Sequence, residues 1–224
     1  MKKNKIICLV IIIAVCLVSL FSVFGESFSN DLISWGYKLG TTAKGFFNKS
    51  YEVKDKEVVA YINDIPVNKS EILDRLEKSK ALENIMKSMG NNNSSLWPSN
   101  PVDYVFYEKF DLYYAKTHNI KVSAEELDEY IKIQKEGWES PELKGVLEQY
   151  LKGMGITEEQ FYSDIAPKSY EKTILKNKVK SHILNSANLS EASSEEKQKY
   201  LENYYKKNIK IEVKNTSFIN QYNK

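Results

Sequence analysis

The chain has 224 residues, 42% hydrophobic and 28% charged, which is ordinary for a soluble globular core and fits one medium domain or one domain plus appendages. The net charge is +2, but setting aside Lys2, Lys3 and Lys5 leaves 29 basic residues against 30 acidic ones, so the body lacks the basic excess of a nucleic-acid face. Arg75 is the only arginine, which argues against a dedicated anion site, and Cys8 and Cys16 both lie near the N-terminus, leaving the body without disulfide, thiol or cysteine-ligated metal chemistry.

In chain order, residues 6–24 (IICLVIIIAVCLVSLFSVF) carry no charge and, at ~1.5 Å per residue, reach across a ~30 Å hydrocarbon core. Lysines before the run and Glu26 and Asp31 after it predict the N-terminus inside and the body outside the cytoplasm. The length favours an uncleaved anchor over a signal-peptide h-region, while Val23-Phe24-Gly25 leaves a cleaved signal open. A lipoprotein at Cys16 is disfavoured, because Val15 stands where a small residue is expected and the chain stays apolar beyond. Residues 26–54 show no strong period and read as a juxtamembrane stalk, in which Leu32, Ile33, Trp35 and Tyr37 offer a short interfacial helix.

Residues 57–67 (EVVAYINDIPV) have strand composition with turn chemistry at Asn63-Asp64. Four helix starts then repeat one pattern. Asn68 is followed three residues on by Glu71, Ser123 by Glu126, Thr157 by Gln160, and Ser193 by Glu196, each a capping box. The first three add a staple: Val67 with Ile72, Val122 with Leu127, and Ile156 with Phe161. Asn100-Pro101 opens a helix whose Val102, Val105, Phe106, Phe110 and Tyr113 follow helical spacing. Ser140-Pro141 opens a shorter helix, with Gly153 and Gly155 as its stop signals, and Pro167 is expected to kink or divide the next one near Ala166. Residues 90–100 form a polar loop around Trp97, and residues 209–213 (IKIEV) alternate as a strand able to pair with 58–62.

No catalytic constellation stands out. His118 ends a helix, where its ring suits the last carbonyls, and His182 reads as surface or packing. HExxH, paired cysteines, GxSxG and a phosphate-cradling glycine loop are all missing, and Glu125-Glu126 and Glu158-Glu159 complement helix dipoles. Aromatic residues are plentiful: fifteen tyrosines, three tryptophans and nine phenylalanines. Tyr104, Tyr107, Tyr113, Tyr114, Tyr130, Tyr150, Tyr162 and Tyr170 fall on predicted helices, either as core or as a tolerant binding surface, with Met86, Met89 and Met154 as adaptable companions.

The segment VVAYINDIPVNKSEILDRL resembles the opening of the chaperone domain of SurA- and PrsA-type proteins, with Asp64 in place of the usual glycine of the turn. YYAKTHNIKVSAEELDEYIKIQ, MGITEEQFYSDI and SSEEKQKYLENYYKKN are similar to later elements of that family and stand in the family's order over residues 57–213. The parvulin isomerase domain of many relatives has no counterpart here. His182-Ile183-Leu184 resembles its start only superficially, so no catalytic residue is carried over.

The resemblance implies a mainly α fold: a SurA N-terminal-like helical chaperone domain over 55–215, with a small β element from its N- and C-terminal ends. Residues 1–25 precede it as signal-anchor or signal peptide, 26–54 as stalk, and 216–224 follow as a tail. The expected function is extracytoplasmic, chaperone-like binding of unfolded or newly exported polypeptides, without enzyme activity, cofactor or metal. The alternatives are a membrane-anchored adaptor for one protein partner and an isomerase relative with vestigial activity. The expected location is the cell membrane, body outside, or secreted if the signal is cleaved. Trp97, Phe106, Tyr113, Tyr114 and Met154 are the candidate client-binding residues.

Overall fold

The computed structural model describes residues 29–50, 57–88 and 100–222. The elements in chain order are α1 (Ser29–Ser50), β1 (Val58–Ile62), β2 (Ile65–Asn68), α2 (Lys69–Ser88), α3 (Pro101–Thr117) and α4 (Ala124–Trp138). Then come α5 (Pro141–Met154), α6 (Glu158–Gln160), a π-helical turn (Phe161–Ile165), α7 (Ala166–Ser186), α8 (Ser194–Asn208), β3 (Ile211–Val213) and α9 (Thr216–Tyr222). The protein is thus mostly helical with one small sheet. Among the described residues no helix is long and apolar enough to cross a membrane; residues 6–24 lie outside them.

The chain divides into two compact units, Met1–Phe47 with Ser123–Tyr170, and Asn48–Val122 with Glu171–Lys224. Residues 55–215, read from sequence as one domain, are distributed over both units, and the second unit is made of two chain pieces with much of the first lying between them in sequence.

In the second unit the sheet has the order β2-β1-β3. Ile62 pairs with Ile65 across a two-residue turn in which Asn63 takes φ 57°, a left-handed conformation that asparagine tolerates. The turn needs no glycine at position 64, because the first turn residue, not Asp64, carries the positive φ. β3 returns antiparallel to β1, with Ala60 beside Val213, Tyr61 beside Glu212 and Ile62 beside Ile211. The alternation of 209–213 and its pairing with 58–62 thus join the two ends of this unit. Val59, Ala60, Ile62, Val67, Ile72, Val102, Phe110, Val179 and Ile183 form its core, each at most 2% exposed. Burying one such large apolar side chain contributes about 1.5–3 kcal/mol. The expected tail is not one: α9 buries Phe218 and Ile219 in the same core, and Asn215 accepts a hydrogen bond from the Phe218 amide to start it.

Local chemistry sets the helix starts. Ser123, Thr157 and Ser193 each form a reciprocal capping box with Glu126, Gln160 and Glu196. Asn100 caps α3 by accepting from the Val102 amide at 2.9 Å. At α2, Glu71 reaches back to the Asn68 amide at 2.8 Å, and its other oxygen accepts from Lys109 Nζ at 2.6 Å, tying α2 to α3.

In the first unit, residues 29–50 are not a stalk but a helix packed closely on α5. A Cβ on Gly36 would meet the Val146 carbonyl, one on Gly40 the Tyr150 carbonyl, and one on Gly153 the Tyr37 carbonyl. Three glycines thus let two backbones approach to a distance that side chains forbid. Gly153 therefore serves packing rather than helix termination, which falls to Gly155 at φ 70° with its amide bonded to the Leu151 carbonyl. The division expected near Ala166 takes the form of the π turn: the Ala166 amide donates to the Phe161 carbonyl, and α-helix resumes through Pro167, which has no amide hydrogen to give.

Candidate functional sites: a charged pocket and an open sheet edge

Of the candidate client-binding residues, those that are described are buried or half-buried. Phe106 and Tyr114 are 4% and 5% exposed in the core of the second unit, and Met154 is 4% exposed in the first. Tyr113 is half-buried against the second unit's core; Trp97 and Met89, and the side chain of Met86, lie outside the described residues. The apolar stripe of α3 faces inward, so its aromatics pack on one another. Phe110 meets Tyr114 at 6.1 Å and Tyr205 at 5.2 Å between ring centroids. His118 stacks on Tyr114 at 3.8 Å and its Nδ1 lies 2.9 Å from the Tyr114 carbonyl, the helix-end role read from sequence. The Tyr114 hydroxyl lies 2.9 Å from His182 Nδ1, and its pKa is pushed up to about 12, mainly by burial.

One cavity of about 270 Å³ lies among α2, α3 and α7 in the second unit. Lys109 and Lys78 on its wall are paired with Glu71 and Asp74, both at 2.6 Å. The Arg75 guanidinium lies 3.4 Å over the Tyr104 ring, and Lys176 Nζ lies 4.7 Å from the same ring. Asp111 also lines the cavity and is 3% exposed. Its Oδ1 accepts a hydrogen bond from the Tyr205 hydroxyl, while its Oδ2 is buried without a hydrogen-bond partner among the described residues. Burial raises the Asp111 carboxyl to about 6, against the lowering effects of the Tyr205 hydrogen bond, Lys176 and Lys180. Burial in turn pulls the Lys180 ammonium down. Such a carboxyl exchanges its proton near pH 6. Among the described residues no group of three His, Cys, Asp or Glu is placed to hold a metal. A trace of this site was in the sequence: Asp111 interrupts the buried positions of α3, where an acid is rare unless paired.

The second site is the outer edge of β3. Lys210 O accepts from the Asn63 amide at 2.8 Å and the Lys214 amide donates to Val59 O at 2.9 Å, so residues 210, 212 and 214 turn their backbone groups toward β1. By antiparallel alternation Ile211 and Val213 turn their N–H and C=O groups outward, where no described strand pairs with them. Their side chains share a sheet face with Ile62 and Ala60, both fully buried, yet are 51% and 39% exposed. The apolar face of the sheet thus continues onto an uncovered edge. Lys206, Lys207 and Lys210 beside it are exposed.

Compared with known proteins, the chain matches no family model, no curated sequence and no solved structure.

Proposed function

We propose that this protein binds unfolded or newly exported polypeptide as an extracytoplasmic, chaperone-like protein held at the membrane by its N-terminal segment. The observation that carries the reading is the β3 edge, where outward backbone groups stand beside exposed Ile211 and Val213. Backbone donors and acceptors recognise any extended chain, and apolar side chains on alternate positions reward an apolar one. The ordered motifs that resemble those of SurA- and PrsA-type chaperones support the same reading, as does a second unit whose two chain ends are joined by one sheet. Nothing in this binding calls for nucleotide.

The test places the full chain in lipid nanodiscs and follows light scattering of several unrelated, chemically unfolded proteins, with empty nanodiscs as control. Suppressed aggregation across the set without ATP is expected; no suppression by a folded protein overturns general chaperoning. The cluster of three exposed lysines at the edge favours, as a second reading, an adaptor for one acidic partner, for which binding would saturate with a single protein and spare the rest.

A further inference from the structure

Resting on that polypeptide-binding reading, we infer that the outer edge of β3 takes up an extended segment of another polypeptide as a fourth strand, and that the segment alternates apolar residues and carries acidic residues at one end. Three observations converge on this occupant. The N–H and C=O groups of Ile211 and Val213 point away from β1, so they are a ready ladder for a strand. The side chains of the same two residues extend the buried face of Ile62 and Ala60 into solvent, so an added strand gains apolar contact on that face. The third observation is charge. Lys206, Lys207 and Lys210 crowd the start of β3, and all three are exposed with no ion pair among the described residues, whereas Lys214 at its far end is taken by Glu212.

The same lysines weigh against a second copy of this chain as the occupant. An antiparallel edge-to-edge pair centred on Glu212 sets Lys210 of one copy against Lys214 of the other and Glu212 against its own counterpart, so Lys210 gains no acidic partner and like charges stand opposite each other. An incoming strand with acidic residues near Lys206, Lys207 and Lys210 meets attraction instead. The edge therefore sorts extended segments by charge while the backbone ladder stays blind to their sequence.

The ladder itself supplies the test. Proline removes an N–H, and at Ile211 or Val213 the N–H lost is the outward one, so the β1–β3 pairing is spared. A fluorescein-labelled peptide of about ten residues, alternating valine and threonine with aspartates at one end, is titrated against the full chain in nanodiscs by anisotropy. Saturable binding is expected, weakened about tenfold or more by Ile211→Pro or Val213→Pro. Lys206→Glu with Lys210→Glu weakens the acidic peptide and not a neutral one. A second series leaves the protein untouched: N-methylation at alternate peptide positions abolishes binding in one parity and spares it in the other. Equal binding of both parities, or unchanged binding to proline variants whose circular dichroism matches the parent, overturns the inference. So does a peptide-independent dimer that the proline variants abolish. If the proline variants still suppress aggregation as the parent does, the edge assignment alone fails; if the parent neither binds peptide nor suppresses aggregation, the wider reading fails with it.

Discussion

Asp111 gives the sharpest quantitative expectation. Its carboxyl is raised from the ordinary 3.8 to about 6, because burial penalises the charged form more than the Tyr205 hydroxyl, Lys176 and Lys180 favour it. The folded chain therefore keeps a proton between about pH 4 and pH 6 that the unfolded chain has released. Unfolding in that window releases a proton, so stability falls as pH rises through it and is level again above about pH 6. The two ends of the window differ by roughly 2 pH units, or about 3 kcal/mol from this residue alone. Asp111→Asn removes the ionisation while keeping an acceptor for the Tyr205 hydroxyl. Relative to the parent, the variant should gain about 2 kcal/mol between pH 4.5 and pH 7.5, the part of the window that this range covers, whatever its offset at the acid end.

The measurement is urea unfolding of parent and variant across that range, followed by circular dichroism, with hydrogen exchange of α3 and α8 amides assigning the transition to the second unit. The difference between the two proteins cancels carboxylates that behave alike in both, such as Glu126 in its capping box and Glu196, whose pKa lies below the ordinary value through its bonds to Ser193 and whose stabilisation is lost as pH falls. A difference that is flat with pH, or one in which Asp111→Asn loses ground toward pH 7.5, would refute the reasoning. It would mean that the charged carboxylate is the favoured form and that Lys176 or Lys180 neutralises it in place.

Tyr205→Phe should cost about 1–3 kcal/mol, and more at pH 7.5 than at pH 5, because it strips the remaining partner from Asp111 Oδ1; urea titrations at both values check it. Gly40→Ala should destabilise the first unit by about 1–3 kcal/mol through collision with the Tyr150 carbonyl, as judged by amide exchange in α5. Gly45→Ala, with nothing within 4 Å, should instead stabilise α1 by up to about 1 kcal/mol, since only helix propensity changes there. Glu71→Gln should keep the cap on the Asn68 amide but lose the charge beside Lys109, whose side chain is only 12% exposed, costing about 1–3 kcal/mol, and a double-mutant cycle with Lys109→Met isolates that term.

What was legible in the sequence was local. Capping boxes at Ser123, Thr157 and Ser193 need only residues three apart, so their side-chain chemistry decides the start whatever packs nearby. The pairing of β3 with β1 was legible because residues 58–62 have strand composition and residues 209–213 alternate. Helix α1 was not, because Gly36, Gly40 and Gly45 depress its propensity; two of them are present for a contact with α5 more than a hundred residues away. Pro167 marked the right place, but a proline predicts strain and not its resolution, here a π turn on the N-terminal side. The sites were the least legible. An aromatic at helical spacing looks the same in sequence whether its face meets a core or solvent, and Phe106 and Tyr114 meet the core.

That last distinction moves the proposed binding surface from the aromatics to the β3 edge. Tyrosines such as Tyr114 and Tyr205 spend their area on one another and on buried polar partners, so they rigidify the second unit and leave little to offer a client. A rigid unit is what an edge strand of three residues needs, because so short a strand holds its register only if the elements flanking it are fixed. Tyr205 on α8 is locked to Phe110 on α3, and α9 is held in the core by Phe218 and Ile219, so both ends of β3 are anchored. Loosening that interior, as Tyr205→Phe does, should therefore weaken peptide capture at Ile211 and Val213 even though residue 205 touches no client. The anisotropy assay would register this as lower affinity with the same parity rule, since the ladder's geometry survives while its preorganisation declines.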